Sequence, residues 1–253
     1  MGVTHKKVER AKIYLSSLVP FFYTKFYRYY QGRKIFAYIL GELIPVVMFL
    51  YLYSHIDYKK FLLLWLFFWS IYEIGYFIND CVSVKKENIS SIRVENQFCK
   101  HLNIILIFRV IVVLLLLWNL YKIVPILKLL VISFFLMSVF YVHNKLVDYS
   151  YRFLTLVLLG VLKPMFILYF FDVDISKYIF IIFPTLIVKY LDYLFAKKIS
   201  SLDIRNSRKH NFWLFTGWGF ILVFIDLKMV FIFLPIYTQY NKIFIYQKVK
   251  NAF

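Results

Sequence analysis

The stretch EIGYFINDCVSVKKENISSIR runs from Glu73 to Arg93 and follows the apolar run FLLLWLFFWSIY. A run of this kind reads as a membrane-crossing helix. The polar residues at its end are not scattered. Asn79, Asp80, Ser83 and Glu87 fall at helical spacings, with Glu73 seven residues before Asp80. On one helix they share a stripe. Ionisable groups at membrane depth are costly and face a cavity or a partner. Carboxylates and an amide grouped at the end of a span suit Mg2+, which keeps some waters and bridges to phosphate oxygens. The competing reading pairs Asp80 and Glu87 with Lys85, Lys86 or Arg93 at a solvated helix end. Glu73 lies about two turns deeper and falls outside that reading.

The rest of the chain supports a bilayer as solvent. Its 253 residues are 62% hydrophobic, with 29 Phe and 22 Tyr, and the mean hydropathy is +0.71. Soluble domains are nearer half apolar. The apolar runs are continuous rather than alternating, and Gly and Pro are few, which points to long helices and not to a barrel. Runs long enough to cross roughly 30 Å of hydrocarbon fall at about 35–54, 61–80, 102–120, 123–142, 152–171, 177–196, 212–226 and 229–246. The expected fold is all-α, a polytopic bundle of about eight transmembrane helices in one integral membrane domain covering 1–253. Residues 1–34 form a basic N-terminus whose 11–30 stretch suits an interfacial helix, 35–246 the bundle, and 247–253 a tail.

Net charge is +18. In a soluble protein that would suggest nucleic acid. Here the basic residues sit between apolar runs, so topology and phosphate-bearing lipids explain them and no nucleic-acid partner is expected. With eight spans, only Lys59, Lys60, Lys122, Lys177 and Lys228 fall on one side. The N-terminus, the loops after the second, fourth and sixth spans and the tail carry 22 others. That bias puts both termini and the polar loops on the cytoplasmic side of an inner membrane.

The motif from Asn79 to Glu87 resembles the first motif of the UbiA superfamily of intramembrane prenyltransferases, Asn-Asp-x-x-Asp-x-x-x-Asp. Ser83 stands at the middle carboxylate position and Glu87 at the last. NISSIR, from Asn88 to Arg93, occupies the place of an Asn-x-x-x-Arg-like continuation. The second motif of the family, Asp-x-x-x-Asp, is matched at Asp192, but Ala196 takes its second position and Lys197 and Lys198 follow. AKKISSL there is similar to the branch that moves phosphoribose from 5-phosphoribosyl diphosphate to a polyprenyl phosphate. Tyr141, Lys145 and Arg152 fill a basic loop after the fourth span.

The resemblance implies a Mg2+-dependent transferase acting on an isoprenoid phosphate or diphosphate lipid. Prenyl transfer comes first and phosphoribosyl transfer second. It implies metal ligation by Asn79, Asp80, Glu87 and Asp192, with acidic oxygens from two segments around one cation. It places Arg93, Lys145, Lys189, Lys197 and Lys198 at substrate phosphate, and Asp80, Asp192 and Lys145 at the reaction. The competing readings are a transporter and a non-catalytic binder of lipid phosphate.

Other residues carry smaller expectations. Lys163, in mid-span before Pro164, pairs with Glu42 or Glu73 or lines the cavity. Lys189 is placed to pair with Asp192. Arg109 and Lys128 lie nearer span ends and snorkel. Cys81 and Cys99 show neither metal spacing nor a disulfide pattern and read as incidental. The five histidines have no metal spacing.

Overall fold

Long apolar runs in hydrocarbon satisfy their backbone only as helices or closed barrels. In the computed structural model, which describes residues 13–28, 32–83, 96–146, 149–196 and 208–252, the runs are helices. No strand occurs among the described residues. Helix α1 covers 32–53, with a π turn at Ile39–Leu43. It is followed by α2 (Tyr58–Ile78), α3 (Asn96–Lys100), α4 (Leu102–Leu120) and α5 (Ile126–Lys145). Then come α6 (Tyr149–Leu168), α7 (Ile175–Ala196), α8 (Arg208–Ile225) and α9 (Leu227–Ala252). Among the described residues, five stretches are long and apolar enough to cross a membrane: Ile35–Tyr53, Tyr58–Val82, Leu102–Leu120, Ile126–Lys145 and Tyr151–Leu168. Trp213–Ile225 and Leu227–Gln239 are shorter apolar helices.

The local signals are ordinary. Asp57 caps α2 by accepting the Lys60 N–H at 3.0 Å. Asp226 separates α8 from α9 and accepts the Lys228 N–H at 2.9 Å. That turn is where the sequence places it.

The chain forms two compact units. One holds Met1–Ile35 with Asp57–Val147, the other Phe36–Ile56 with Asp148–Phe253. In the first, α2 packs along α4 and α5. At Gly75 the packing is close: a Cβ there would lie 2.6 Å from the Phe140 ring. That contact explains a glycine inside a helix, where it otherwise costs about 1 kcal/mol. In the second unit, α9 packs on α8, α1 and α7. Phe215 stacks on Phe233 with ring centres 5.8 Å apart, and the Trp218 indole N–H donates to the Phe180 carbonyl at 3.0 Å.

The N-terminal segment departs from expectation. It is not one interfacial helix. Residues 13–18 are helical, the chain breaks over 19–21, and a π turn runs over Thr24–Arg28. Pro20 removes a backbone donor at the break, and Phe21 takes φ 74°, a region bulky residues avoid. The Phe21 ring is held by Trp65 and Trp69, with centres 5.4 and 4.9 Å away. Tyr14, Leu15 and Leu18 remain exposed on the outer side.

Candidate functional site

Three π turns occur among the described residues, and each lies at a polar site: Thr24–Arg28, Ile39–Leu43 with Glu42, and Asn79–Ser83 with Asp80. A π turn is a rare widening of the helix, often found at functional positions.

The break at 19–21 leaves backbone groups without helical partners, and unpaired groups in apolar surroundings cost several kcal/mol each. Two charged side chains take them up. Glu73 accepts the Phe21 N–H at 3.0 Å and the Thr24 N–H at 2.8 Å. Arg109 donates to the Ser16 carbonyl and the Val19 carbonyl. The two charges pair at 3.0 Å with both side chains fully buried. Arg109 also lies 5.5 Å from the centre of the Phe77 ring. It does not snorkel. The span end lies beneath the N-terminal segment, so the guanidinium is enclosed by protein instead of reaching water.

Seven residues on, Asp80 occupies the last turn of the same helix. The Tyr23 hydroxyl donates to its Oδ2 at 2.6 Å, and the Asn79 amide donates to its Oδ1 at 3.0 Å. Tyr23 is itself buried, with its ring 4.7 Å from Phe77 and 5.1 Å from Phe98. Glu73 and Asp80 therefore do share a stripe, and the stripe faces residues 21–24. The π turn at Asn79–Ser83 widens the helix after Ile78, so Asp80 and Ser83 are not related by regular α-helical spacing.

Cys81 and Cys99 are not incidental. They form a disulfide across a sequence separation of 18. The bridge ties the π turn to α3 inside the cluster that contains Tyr23, Phe77 and Phe98. Their spacing matches no pattern because the bridge joins two helices rather than closing a turn.

Lys145 ends α5, exposed, with its ammonium 5.5 Å from the Tyr141 ring centre. Its neighbour Asn144 donates to the Gly75 carbonyl at 3.4 Å. The end of α5 thus runs beside the last turns of α2, and Asn79, Asp80 and Lys145 lie at one end of the first unit. Asn144 had no signal in the sequence beyond its place at the close of an apolar run.

In the second unit Glu42 accepts from Lys163 at 3.1 Å and from Lys189 at 2.9 Å. Of the two partners anticipated for Lys163, Glu42 and Glu73, Glu42 is paired with it. Lys189 also meets Glu42; the π turn around Glu42 presents its carboxylate to both lysines. Asp192 lies on α7, but its side chain is outside the described residues. Glu87, Arg93, Lys197 and Lys198 also lie outside them.

Among the described residues no group of three or more His, Cys, Asp or Glu side chains gathers as a metal site. Asp80 with Asn79 is a smaller set, one carboxylate and one amide. It fits the modest protein share of a Mg2+ site whose other ligands are water and substrate phosphate.

No family model, no curated protein and no solved structure matches this chain.

Proposed function

We propose that the chain is an integral membrane transferase of the UbiA-like kind. It would have eight spans in one membrane domain of the inner membrane, with both termini cytoplasmic. Its substrates are isoprenoid phosphate or diphosphate lipids, and its reaction is prenyl transfer with departure of diphosphate. The observation that carries the reading is Asp80. It is a carboxylate at the polar end of an apolar helix, on a π turn, held from one side by a buried tyrosine.

The roles follow from the side chains. Asp80 and Asn79 would hold Mg2+, with Glu87 and Asp192 as further ligands. The bound ion would supply neutralisation of charge growing on the diphosphate. Tyr23 fixes the Asp80 carboxylate so that it need not reorganise as that charge develops. Lys145 adds a positive charge at the same helix ends, joined by Arg93, Lys197 and Lys198, and by Lys189 where Glu42 leaves it a share. In prenyl transfer the bond from the allylic carbon to the diphosphate oxygen breaks, and diphosphate keeps the electron pair. The acceptor forms a bond to that carbon and loses a proton.

The second reading is phosphoribosyl transfer to a polyprenyl phosphate. The Ala196-Lys197-Lys198 sequence favours it, since added basic charge suits two phosphorylated substrates. There the anomeric carbon–oxygen bond breaks and a lipid phosphate oxygen takes its place.

Membranes containing the protein, supplied with Mg2+, separate the readings. One sample receives a prenyl diphosphate with aromatic acceptors, the other phosphoribosyl diphosphate with polyprenyl phosphate. Mass spectrometry of the lipid extract reads the product. Prenylated acceptor supports the first reading and a phosphoribosyl lipid the second. No product in either overturns both.

A further inference from the structure

The N-terminal helical turns and the start of α4 enclose a groove of about 310 Å3. Ile13, Tyr14 and Ser17 line one wall, and His101, Ile104, Ile105 and Phe108 the other. On α4 these are positions i, i+3, i+4 and i+7, one face of a helix. Ile13 and Ile105 are buried and form the floor; Tyr14, Ile104 and Phe108 are exposed and form the rims.

We infer that this groove seats one acyl chain of an anionic glycerophospholipid, with the headgroup at Lys100 and His101. Three features carry the inference. The groove opens on an apolar surface, since Ile107, Ile111, Leu115 and Trp118 continue outward along α4. Bilayer lipid is the solvent of such a face. The volume lies at the low end of ligand pockets, roughly 300 to 1,000 Å3. That suits a chain and not a headgroup with both tails.

The polar end is basic. Lys100 is exposed there, beside His101. His101 stands at the N-cap of the 19-residue α4 and makes no side-chain cap. The first amides of a helix carry partial positive charge and favour an anion. Headgroup and chain are thus matched in order, charge at the helix start and hydrocarbon along its face.

The occupant is a bilayer lipid and not the proposed reactant. None of Asn79, Asp80 and Lys145 lines the groove. Its effect on the site is indirect. Ile13 and Ile105 share an apolar cluster with Tyr23 and Cys81. A chain lying over them presses the N-terminal segment onto α4, and that segment supplies the hydroxyl that holds Asp80. The inference does not depend on what Asp80 does.

Native mass spectrometry of the full-length protein in detergent tests it, using phosphatidylglycerol and phosphatidylcholine of identical chains. Wild type should retain phosphatidylglycerol at about fivefold or more higher occupancy, the gain expected of one basic residue at the headgroup. The double variant Lys100→Ala/His101→Ala should bring the two lipids to parity. Ile104→Trp, which fills the groove, should lower retention of both. Parity in wild type, or retention of phosphatidylglycerol unchanged in the surface double variant, would overturn the proposal. So would a polyprenyl phosphate that displaces phosphatidylglycerol at equal concentration. The wild-type comparison stands even if the tryptophan variant fails to fold.

Discussion

Glu73 and Asp80 stand seven residues apart on one helix and face the same N-terminal segment, yet they are used differently. Glu73 is fully buried, meets Arg109 and accepts two backbone amides. Asp80 is partly exposed, and among the contacts on its oxygens are one hydroxyl and one side-chain amide. The difference is one of depth. Deep in the helix a carboxylate survives only with a countercharge and complete hydrogen bonding, so it becomes part of the fold. At the helix end water can share that task, which leaves the carboxylate open to the proposed ligand. Glu42 in the second unit repeats the first case with two lysines.

The sharpest way to break this comparison is Glu73→Gln. It leaves Arg109 buried without a countercharge and should cost about 3–5 kcal/mol. Expression and thermal unfolding in detergent should both fall. Adding Arg109→Met to that variant should restore part of the loss, but not all, because the broken backbone at 19–21 still lacks its partners. Equal stability of Glu73→Gln and wild type would show that the pair is not structural.

Cys81→Ser should come next, at about 3 kcal/mol for a loop of this length, read as a shift in unfolding midpoint under oxidising conditions. The loss should vanish when both proteins carry reduced thiols. The cytoplasmic face proposed for this end of the first unit would keep thiols reduced. Under that topology, alkylation in intact cells should label both cysteines, and the bridge should close after extraction. A bridge already closed in cells would contradict the proposed orientation.

Gly75→Ala drives a methyl group into the Phe140 ring and should cost about 1–3 kcal/mol. Tm should drop, and Phe140→Leu should relieve it. The smallest effect is expected in the second unit. There the Tyr53 hydroxyl donates to Asp226 and holds that carboxyl below its usual value of 3.8. A lowered folded pKa gives stability that is present above the unfolded value and is lost as pH falls through the folded one. Tyr53→Phe should therefore cost no more than about 1 kcal/mol at neutral pH, read as a slight drop in Tm. The difference from wild type should begin to shrink below about pH 4 and disappear once pH lies below the folded value.

The helices were legible because a run of apolar residues leaves the chain few alternatives in hydrocarbon. The Asp226 turn and the Glu42–Lys163 pair were legible for the same reason: a charge in such a run must be a boundary or have a mate. What escaped was everything set by distant partners. Glu73 and Arg109 are 36 positions apart, and nothing local in either helix marks the other. Arg109 near a span end reads as snorkelling until the N-terminal segment is seen to cover it. Pro20 lies at the break, but the mixed aromatic and basic residues around it read as one interfacial helix. The π turns were invisible to a reading that assumes 3.6 residues per turn, and with them went the orientation of the residues after Ile78. Cys81 and Cys99 belong to different helices, so their spacing carries no mark of the bridge.

One measurement bears most directly on the division between the two carboxylates: transfer activity and thermal stability of Asp80→Asn, read side by side in the same membranes with the donor and acceptor that give product. A carboxylate kept for ligand predicts a loss of at least about 100-fold in product with an unfolding midpoint close to wild type. Full activity, or unfolding as early as that of Glu73→Gln, would contradict it.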